Sequence, residues 1–369
     1  MSETTDKKSS TGKKVAVAGL VLPVLFGAGI AGWKLREWTS GSDNSSNGPD
    51  GAKPDITFDD HALRHIDPAL LTWKQTAEIP VGMKGADSFA RLPDGRIVIV
   101  GSKSLRIIGG GGGAPSIAPV EISLSKESLA VAAGSDRIYV AAHDHVALFD
   151  HNGTALGQWN SLGLSAVITS IAVRGVGSTA NVWLADAGQR IIVHCDGDGK
   201  VLEKFAGKDD AKHSPGLVVP SPHLDVAFAA IAADSSSDPI IWVNNPGRHE
   251  LEGFSRDGTL VRRWGQFGMT PERFAGCCNP TDFAILANGR FVTSDKGVPR
   301  VRVFSPDGKL QSVIGGVAVF GEQVGGLDIS VDGQGRVWVL DRSRDVLRVF
   351  EETAQPAVST TTSMQEVGS

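Results

Sequence analysis

Short runs of alternating apolar and polar residues, each closed by a turn motif, recur along the chain from about residue 84 to residue 350. The copy with the clearest boundaries spans residues 276–316, and its pattern predicts four short strands, at 283–286, 291–293, 301–304 and 310–314. Asn288-Gly289 and the Ser-Pro-Asp-Gly run at 305–308 supply the tight turns. A four-stranded antiparallel meander cannot bury both of its faces alone, so the recurrence predicts blades packed around an axis.

The second strand of each unit is the clearest marker of the repeat, and it begins at Ile97, Ile138, Val182, Ile241, Phe291 and Val337. These positions lie 41, 44, 59, 50 and 46 residues apart, which predicts six units. The longest interval contains residues 205–225, whose Pro, Gly and charge content indicates an inserted loop. The sixth unit ends near residue 350 after three strands, so we expect Leu71–Val81 to complete its sheet and close the ring.

Three stretches carry a family resemblance: VWLADAGQRIIVHCDGDGKVL (182–202), VTSDKGVPRVRVFSPDGKL (292–310) and WGQFGMTPERFAGCCNPTDFAIL (264–286). They resemble NHL repeats, in which a strand ending in Asp is followed by a short loop, an Arg, an alternating strand and an Asp-Gly turn. The resemblance covers residues 84–350 and implies an all-β, six-bladed β-propeller. It leaves activity open, because propellers include scaffolds, ligand-binding proteins and enzymes.

The N-terminal region differs from the rest in composition. Residues 1–14 contain four lysines and residues 15–33 contain no charge, which predicts a transmembrane anchor over 15–36, a cytoplasmic N-terminus and a propeller on the extracytoplasmic, periplasmic side. A cleaved signal peptide is the alternative. Residues 37–55 have the composition of a flexible linker, the propeller is expected over 56–350, and the polar residues 351–369 are expected to form a disordered tail.

Composition excludes several function classes. A net charge of -5 gives no basis for nucleic-acid binding, and three cysteines are too few for a disulfide-based fold. The sequence contains neither a phosphate-binding glycine loop that leads from a strand into a helix nor a nucleophile elbow. Aromatic residues one place after four of the markers predict packing between blades: Tyr139, Trp183, Trp242 and Trp338.

The first residues of the inner strands are the first set of candidate functional positions, because they meet at the mouth of a propeller. Aligning the units by their spacing gives Ser88, Ser128, Ser170, Ala230, Asp282 and Asp328. Asp225 lies just ahead of the inner strand in the fourth unit. Asp225, Asp282 and Asp328 are therefore candidate ligands for a hard cation such as Ca²⁺, as in the lactonase-like propellers. The alternative is that they are solvated charges at the rim.

The loops after the second strands open on the same face and give the second set: Gly101, Ala142, Asp186, Asn245, Asp295 and Asp341. We expect the three Asp residues to be structural, bonding loop amides and pairing with Arg190, Arg300 and Arg344. Asn245 and the nearby His143 and His145 are candidates for ligand contacts at the mouth. Zinc would require a third ligand from another blade, so ordinary loop histidines are the alternative.

Cys277 and Cys278 are adjacent in the segment that leads into the inner strand of the fifth unit. Three roles are open for them: a redox or soft-metal site that would bind Cu(I), a structural vicinal disulfide, or two inert thiols.

The sequence as a whole favours an anchored propeller that acts as a protein-binding or scaffolding module of an envelope complex. The cysteine pair is its candidate redox site. The alternative is a metal-dependent propeller hydrolase or lyase with acidic ligands at the mouth.

Overall fold

The computed structural model describes residues 60–110, 118–228, 239–322 and 325–353, which form a six-bladed β-propeller. Each blade is a four-stranded antiparallel sheet whose strands follow one another in sequence, except in the last blade. This confirms the all-β propeller and the number of blades predicted from the repeat. The predicted segments 1–14, 15–36 and 37–55 lie outside the described residues.

The described chain begins with helix α1 (His61–Arg64), a 3-10 turn at Pro68–Leu70 and strand β1 (Trp73–Pro80). Blade 1 contains β2 (Ser88–Arg91), β3 (Ile97–Gly101), β4 (Ser104–Ile108) and β5 (Val120–Ser123). Blade 2 contains β6 (Ala130–Ala133), β7 (Ile138–Ala142), β8 (His145–Phe149) and β9 (Ala155–Gln158). Blade 3 contains β10 (Ile168–Arg174), β11 (Asn181–Asp186), β12 (Ile191–Asp196) and β13 (Val201–Phe205), with a 3-10 turn at Gly177–Thr179.

The predicted insertion follows blade 3 and forms a small hairpin of β14 (Lys208–Asp209) and β15 (Ser214–Pro215). Blade 4 contains β16 (Val226–Phe228), β17 (Ile241–Asn245), β18 (Glu250–Phe254) and β19 (Leu260–Trp264). Blade 5 contains β20 (Asp282–Ile285), β21 (Phe291–Asp295), β22 (Arg300–Phe304) and β23 (Leu310–Gly315), followed by α2 (Val317–Phe320). Blade 6 contains β24 (Asp328–Val331), β25 (Val337–Asp341) and β26 (Val346–Glu352).

Strand β1 closes the ring. It pairs antiparallel with β26, from Trp73 opposite Glu352 to Pro80 opposite Val346, and thereby supplies the fourth strand of blade 6. The indole nitrogen of Trp73 also donates a hydrogen bond to Ser312 of blade 5, at 3.0 Å. The prediction that Leu71–Val81 completes the last blade is confirmed.

The aromatic stripe packs between blades, as predicted. The side chains of Tyr139, Trp183, Trp242 and Trp338 are all buried. The ring of Trp242 in blade 4 meets Phe291 of blade 5 edge-on, with centroids 4.7 Å apart. These side chains therefore stabilise the stack of blades and are not exposed for ligand stacking.

The Asp that ends the second strand of blade 5 is a structural residue. Asp295 accepts hydrogen bonds from Arg300 and Arg302, both at 2.7 Å, and all three side chains are buried. Asp341 in blade 6 binds Arg344 in the same way, at 2.7 Å. The predicted structural role is confirmed in both blades.

Blade 3 departs from the predicted pairing. Asp186 accepts hydrogen bonds from the side chain of Gln189 at 2.6 Å and from the amide of Val167 at 3.0 Å. Arg190 has a left-handed backbone conformation, φ 59°, and an exposed side chain. The residue before it reaches the carboxylate instead, so the predicted pair of Asp186 and Arg190 is wrong.

We expect Asp295→Ala to lower the free energy of unfolding by about 3–5 kcal/mol, because it leaves two buried guanidinium groups without their carboxylate. Asp198→Ala is the matched control: its exposed carboxylate lies 3.9 Å from Arg137, and its loss is expected to change the free energy by less than about 1 kcal/mol. Urea denaturation followed by tryptophan fluorescence measures both. Equal losses in the two variants would contradict the structural role of Asp295.

Candidate functional site

The top face of the propeller is defined here as the face at which the six inner strands begin. The first strands of neighbouring blades contact one another, so their first residues surround the central axis. The loops between second and third strands and the connections between blades open on the same face, since strand direction alternates within each sheet. The first residues of the inner strands, these loops and these connections therefore all lie on the top face.

Strand pairing places an Asp at the same position in three successive blades. In each of these blades, the residue that directly follows the Asp lies opposite the third residue of the second strand. The pairs are Val226 and Val243, Phe283 and Thr293, and Ile329 and Val339. The equivalent first positions are thus Ser88, Ala130, Ser170, Asp225, Asp282 and Asp328. Blades 4, 5 and 6 contribute the three acids.

This register corrects the sequence alignment in two blades. Asp225, not Ala230, occupies the first position in blade 4, and Ala130, not Ser128, occupies it in blade 2. In blade 4 the first strand ends at Phe228 and the second begins at Ile241. This connection is longer than those of the other blades, so an alignment by constant spacing moves the inner strand too far along the chain.

The first residues of the inner strands also join neighbouring blades. Asp225 accepts a hydrogen bond from the amide of Phe283 in blade 5, and Asp328 accepts one from the amide of Phe89 in blade 1, both at 2.9 Å. Ser170 of blade 3 donates to Asp225 at 2.5 Å. These carboxylates are therefore oriented by hydrogen bonds to the adjacent blade.

The three carboxyl groups are half-buried and close enough to interact electrostatically. Burial raises the pKa of Asp282 well above its usual range, and the charges of Asp225 and Asp328 raise it further. Burial also raises the pKa of Asp328 to about 6, although the charge of Arg342 opposes the shift. Asp282 hydrogen-bonds to Asp328. Burial and the neighbouring charges therefore both favour the protonated form of Asp282.

The charge of Arg342 acts on the carboxyl groups, and His223 is close enough to Arg342 and Lys296 to interact with both charges. Arg342 follows the second strand of blade 6 and contacts Asp87, which precedes the first strand of the adjacent blade 1. Its Nη1 lies 3.5 Å from Oδ1 of Asp87. Lys296 donates to the hydroxyl of Ser221 in the insertion, at 2.9 Å. Burial lowers the pKa of His223 to about 3, helped by the charges of Lys296 and Arg342, so this imidazole is neutral at neutral pH.

Sequence reasoning overlooked these neighbours of the carboxyl groups. Lys296 and Arg342 directly follow the structural acids Asp295 and Asp341. Their common position in the repeat, in the loop at the top face, could have identified them. His223 was assigned to the inserted loop, which is correct. What the sequence did not indicate is that the insertion folds back to the centre of the top face.

The two histidines predicted at the mouth, His143 and His145, lie in different environments. His143 is exposed at a turn with φ 65°, whereas His145 is buried and its Nδ1 lies 3.0 Å from Asp144. Asp144 in turn binds Lys126 at 2.6 Å, and the hydrogen bonds it receives lower its pKa. The two imidazoles therefore do not converge on one point of the top face.

Asn245 is fully buried and has a structural role. Its oxygen accepts from the amide of Val218 at 2.9 Å, and its nitrogen donates to Gly216 at 3.3 Å and to Glu252 at 2.9 Å. The amide groups of Asn245, a candidate for ligand contact at the mouth, are thus engaged in holding the insertion against blade 4.

Cys277 and Cys278 lie on the connection between β19 and β20, at the top face. Cys277 is exposed and Cys278 is buried, and their sulfur atoms are 2.8 Å apart as free thiols. Burial raises the pKa of Cys277, the neighbouring thiol adds to the shift, and the charge of Lys296 opposes it. Cys195 is a separate buried thiol on β12.

The carboxyl groups do not form a preformed metal site. Across residues 60–110, 118–228, 239–322 and 325–353, no group of three or more His, Cys, Asp and Glu side chains is arranged to hold a metal ion. Both oxygens of Asp225 already accept hydrogen bonds. The donor set therefore does not match the several free oxygen ligands that Ca²⁺ requires.

Comparison with known proteins identifies the fold. A structural genomics protein of unknown function from Bacteroides thetaiotaomicron superposes with a TM-score of 0.53 at 13% identity, over 74% of this chain and 70% of that one. A virginiamycin B lyase from Staphylococcus aureus gives 0.49 at 11% identity, over 75% and 99%. A streptogramin B lyase gives 0.49 at 9% identity, over 77% and 99%. No protein-family profile and no curated protein sequence matches the chain. At 13% identity, the similarity to the Bacteroides protein shows a shared fold and does not identify an activity.

We expect the titration of Asp328 to lower the free energy of unfolding as pH rises from about 4 to about 6. Asp328 titrates near 3.8 when unfolded and at about 6 when folded, so the folded protein binds more protons in this interval. Asp328→Asn keeps an oxygen for the amide of Phe89 and removes the titration. It should therefore lessen the decrease by on the order of 1–2 kcal/mol.

Urea denaturation at a series of pH values measures this difference. Parallel pH profiles for the wild type and Asp328→Asn would contradict a raised pKa at this position.

Proposed function

We propose that this protein is a membrane-anchored, extracytoplasmic propeller of the NHL type that binds a protein partner of the cell envelope through its top face. The uncharged run 15–33, the lysines before it and the polar linker after it support the anchoring and the orientation. The recurrent Asp, loop, Arg pattern supports the relationship to NHL repeats. No helix within the described ranges is long and apolar enough to cross a bilayer, and residues 15–36 lie outside those ranges.

The observation that carries the proposal is the exposure of large apolar side chains on three successive connections between blades. Leu164 lies on the connection between blades 2 and 3, Val218 on that between blades 3 and 4, and Phe267 on that between blades 4 and 5. All three side chains are exposed. Each connection ends at the start of an inner strand, so all three lie on the top face. Apolar side chains grouped on one face are typical of protein-binding surfaces.

Contacts make the top of blades 4 and 5 a continuous surface. The carbonyl of Val218 accepts a hydrogen bond from Gly247 at 2.9 Å. The ring of His249, in the same loop, packs against Phe267 with centroids 5.1 Å apart. His249 also hydrogen-bonds through Nε2 to the carbonyl of Gly276, at 2.6 Å. The insertion, the loop of blade 4 and the connection that carries the cysteines therefore form one surface.

The charges at the axis indicate the chemistry of the partner. Asp225, Asp282 and Asp328 are close enough to interact electrostatically, and Arg342 contacts Asp87. A basic side chain from the partner would reduce the repulsion among these groups. We therefore propose a partner that presents apolar side chains to the connections and a basic side chain to the axis.

The alternative function, a metal-dependent propeller hydrolase or lyase, lacks support from the donor set. The carboxyl groups are hydrogen-bonded to neighbouring blades and to each other. These hydrogen bonds compete with the oxygen coordination that a cation such as Ca²⁺ requires.

We expect Phe267→Asp to reduce recovery of the partner by about tenfold or more, because a desolvated charge would replace an apolar contact at the interface. Leu202→Asp is the matched control, since Leu202 lies on the outer strand β13 and is exposed to a similar degree, 48% against 55% for Phe267. The full-length protein would be cross-linked in its own membrane, purified and analysed by quantitative mass spectrometry. Equal recovery with both variants would exclude the top face as the docking surface.

Elemental analysis of the purified protein should find no stoichiometric calcium or zinc in the wild type or in Asp282→Asn, because the carboxyl groups already have hydrogen-bond partners. Inductively coupled plasma mass spectrometry after dialysis against buffer treated with a chelating resin would provide the measurement. One equivalent of metal that is lost in Asp282→Asn would contradict this prediction and favour the metal-dependent enzyme.

A further inference from the structure

The thiols of Cys277 and Cys278 differ in accessibility although they are adjacent. Cys277 is exposed, Cys278 is 2% exposed, and their sulfur atoms are 2.8 Å apart. A reagent in solution therefore reaches Cys277 first. The sulfur of Cys278 is already close enough to react with whatever forms on Cys277.

Hydrogen bonds on both sides hold the segment that carries the two thiols. The side chain of Asn279 donates to the carbonyl of Ala275 at 2.7 Å and accepts from the amide of Lys296 at 2.9 Å. His249 binds the carbonyl of Gly276 at 2.6 Å. The thiols thus lie on a segment that hydrogen bonds hold on both sides.

We propose that Cys277 and Cys278 form a thiol–disulfide exchange site whose substrate is an accessible small-molecule disulfide, with Cys277 as the attacking thiol and Cys278 as the resolving thiol. The site adds a chemical activity to the top face, and it is independent of the proposed partner because the exchange requires only the two cysteines and the disulfide.

The reaction is balanced without a further reagent. The Cys277 thiolate attacks one sulfur of the substrate disulfide, RS–SR, forming a mixed disulfide and releasing RS⁻, which takes up the proton lost from Cys277. Cys278, after losing its proton, attacks the sulfur of Cys277, forms the Cys277–Cys278 disulfide and releases the second RS⁻, which is protonated to RSH. The dithiol is oxidised by two electrons and the substrate disulfide is reduced to two thiols.

The environment of Cys277 affects the rate and the direction of the exchange. Its raised pKa, caused mainly by burial, limits the thiolate at neutral pH, so the reaction is best followed under mildly alkaline conditions. A disulfide between adjacent residues is strained and therefore more readily reduced than an ordinary structural one. Excess thiol should accordingly return the pair to the dithiol.

The chain contains its own control for nonspecific reaction. Cys195 is buried on β12, and burial raises the pKa of its thiol to about 12. A reagent that modifies only accessible or activated thiols of the folded protein leaves Cys195 unchanged. Modification of Cys195 would reveal unfolding in any preparation.

The test treats the full-length protein and two variants with oxidised glutathione and locates each modification by mass spectrometry of the intact protein and its peptides. In the wild type we expect an internal disulfide at 277–278 and no retained glutathione. In Cys278→Ser we expect one glutathione retained on Cys277, because no resolving thiol follows. In Cys277→Ser we expect the remaining thiol to react at least about tenfold more slowly, because it is buried.

Three results would overturn the proposal: similar rates of glutathione addition in the two variants, no addition in Cys278→Ser, or stable retention of glutathione by the wild type. If Cys278→Ser fails to fold, as shown by modification of Cys195, Cys278→Ala replaces it under the same criteria. Because the assay contains no partner protein, its failure would leave the co-purification result unaffected, and the two proposals are tested separately.

Discussion

Closure of the ring by β1 against β26 is the constraint on which the other features depend. The first strand of the propeller completes its last blade, so the six sheets form a cycle with no unpaired blade at either end. The inner strands are then required to begin next to one another around the axis. Side chains at their first positions are brought together by the geometry of the ring, whether or not their charges are compatible.

Blades 4, 5 and 6 place an acid at that position, and the structure accommodates the resulting repulsion in two ways. Asp225 and Asp328 each accept an amide hydrogen bond from the next blade, at 2.9 Å, which favours their charged forms. Asp282 hydrogen-bonds to Asp328 and has its pKa raised by burial and by the two neighbouring carboxylates. The contacts that join the blades thus act on the pKa values of the same carboxyl groups, in opposition to burial.

The fold could be predicted from the sequence because each unit contains its own evidence: alternation with a period of two, turn residues and an Asp at the end of the second strand. The positions of Asp282 and Asp328 followed from the same repeat. Asp225 was assigned to the wrong register because the connection after β16 is long, and spacing alone cannot align a unit of different length. The sequence placed His223 in the insertion but not near the axis, since the 21-residue segment 205–225 has no repeat to determine where it folds. The side chain of Asn244 donates to the carbonyl of His223 at 3.0 Å, and Asn245 binds Val218 and Gly216, so contacts with blade 4 hold the insertion.

Blade 4 shows what accommodating that insertion requires. Where blade 5 has the buried pair of Asp295 and Arg302, blade 4 has Asn245 and Glu252. The amide of Asn245 binds the insertion at Val218 and Gly216, which a carboxylate could only partly do because it has no N–H to donate. Glu252 is buried at the position of that Arg, and burial raises its pKa to about 7, although the charges of Arg248 and Arg263 oppose the shift. Burial of a carboxyl group at this position destabilises the fold. In proteins generally, such departures from the regular pattern are concentrated at functional sites. In this propeller they concentrate at the top of blades 4 and 5, where the insertion, the apolar connections and the cysteine pair meet.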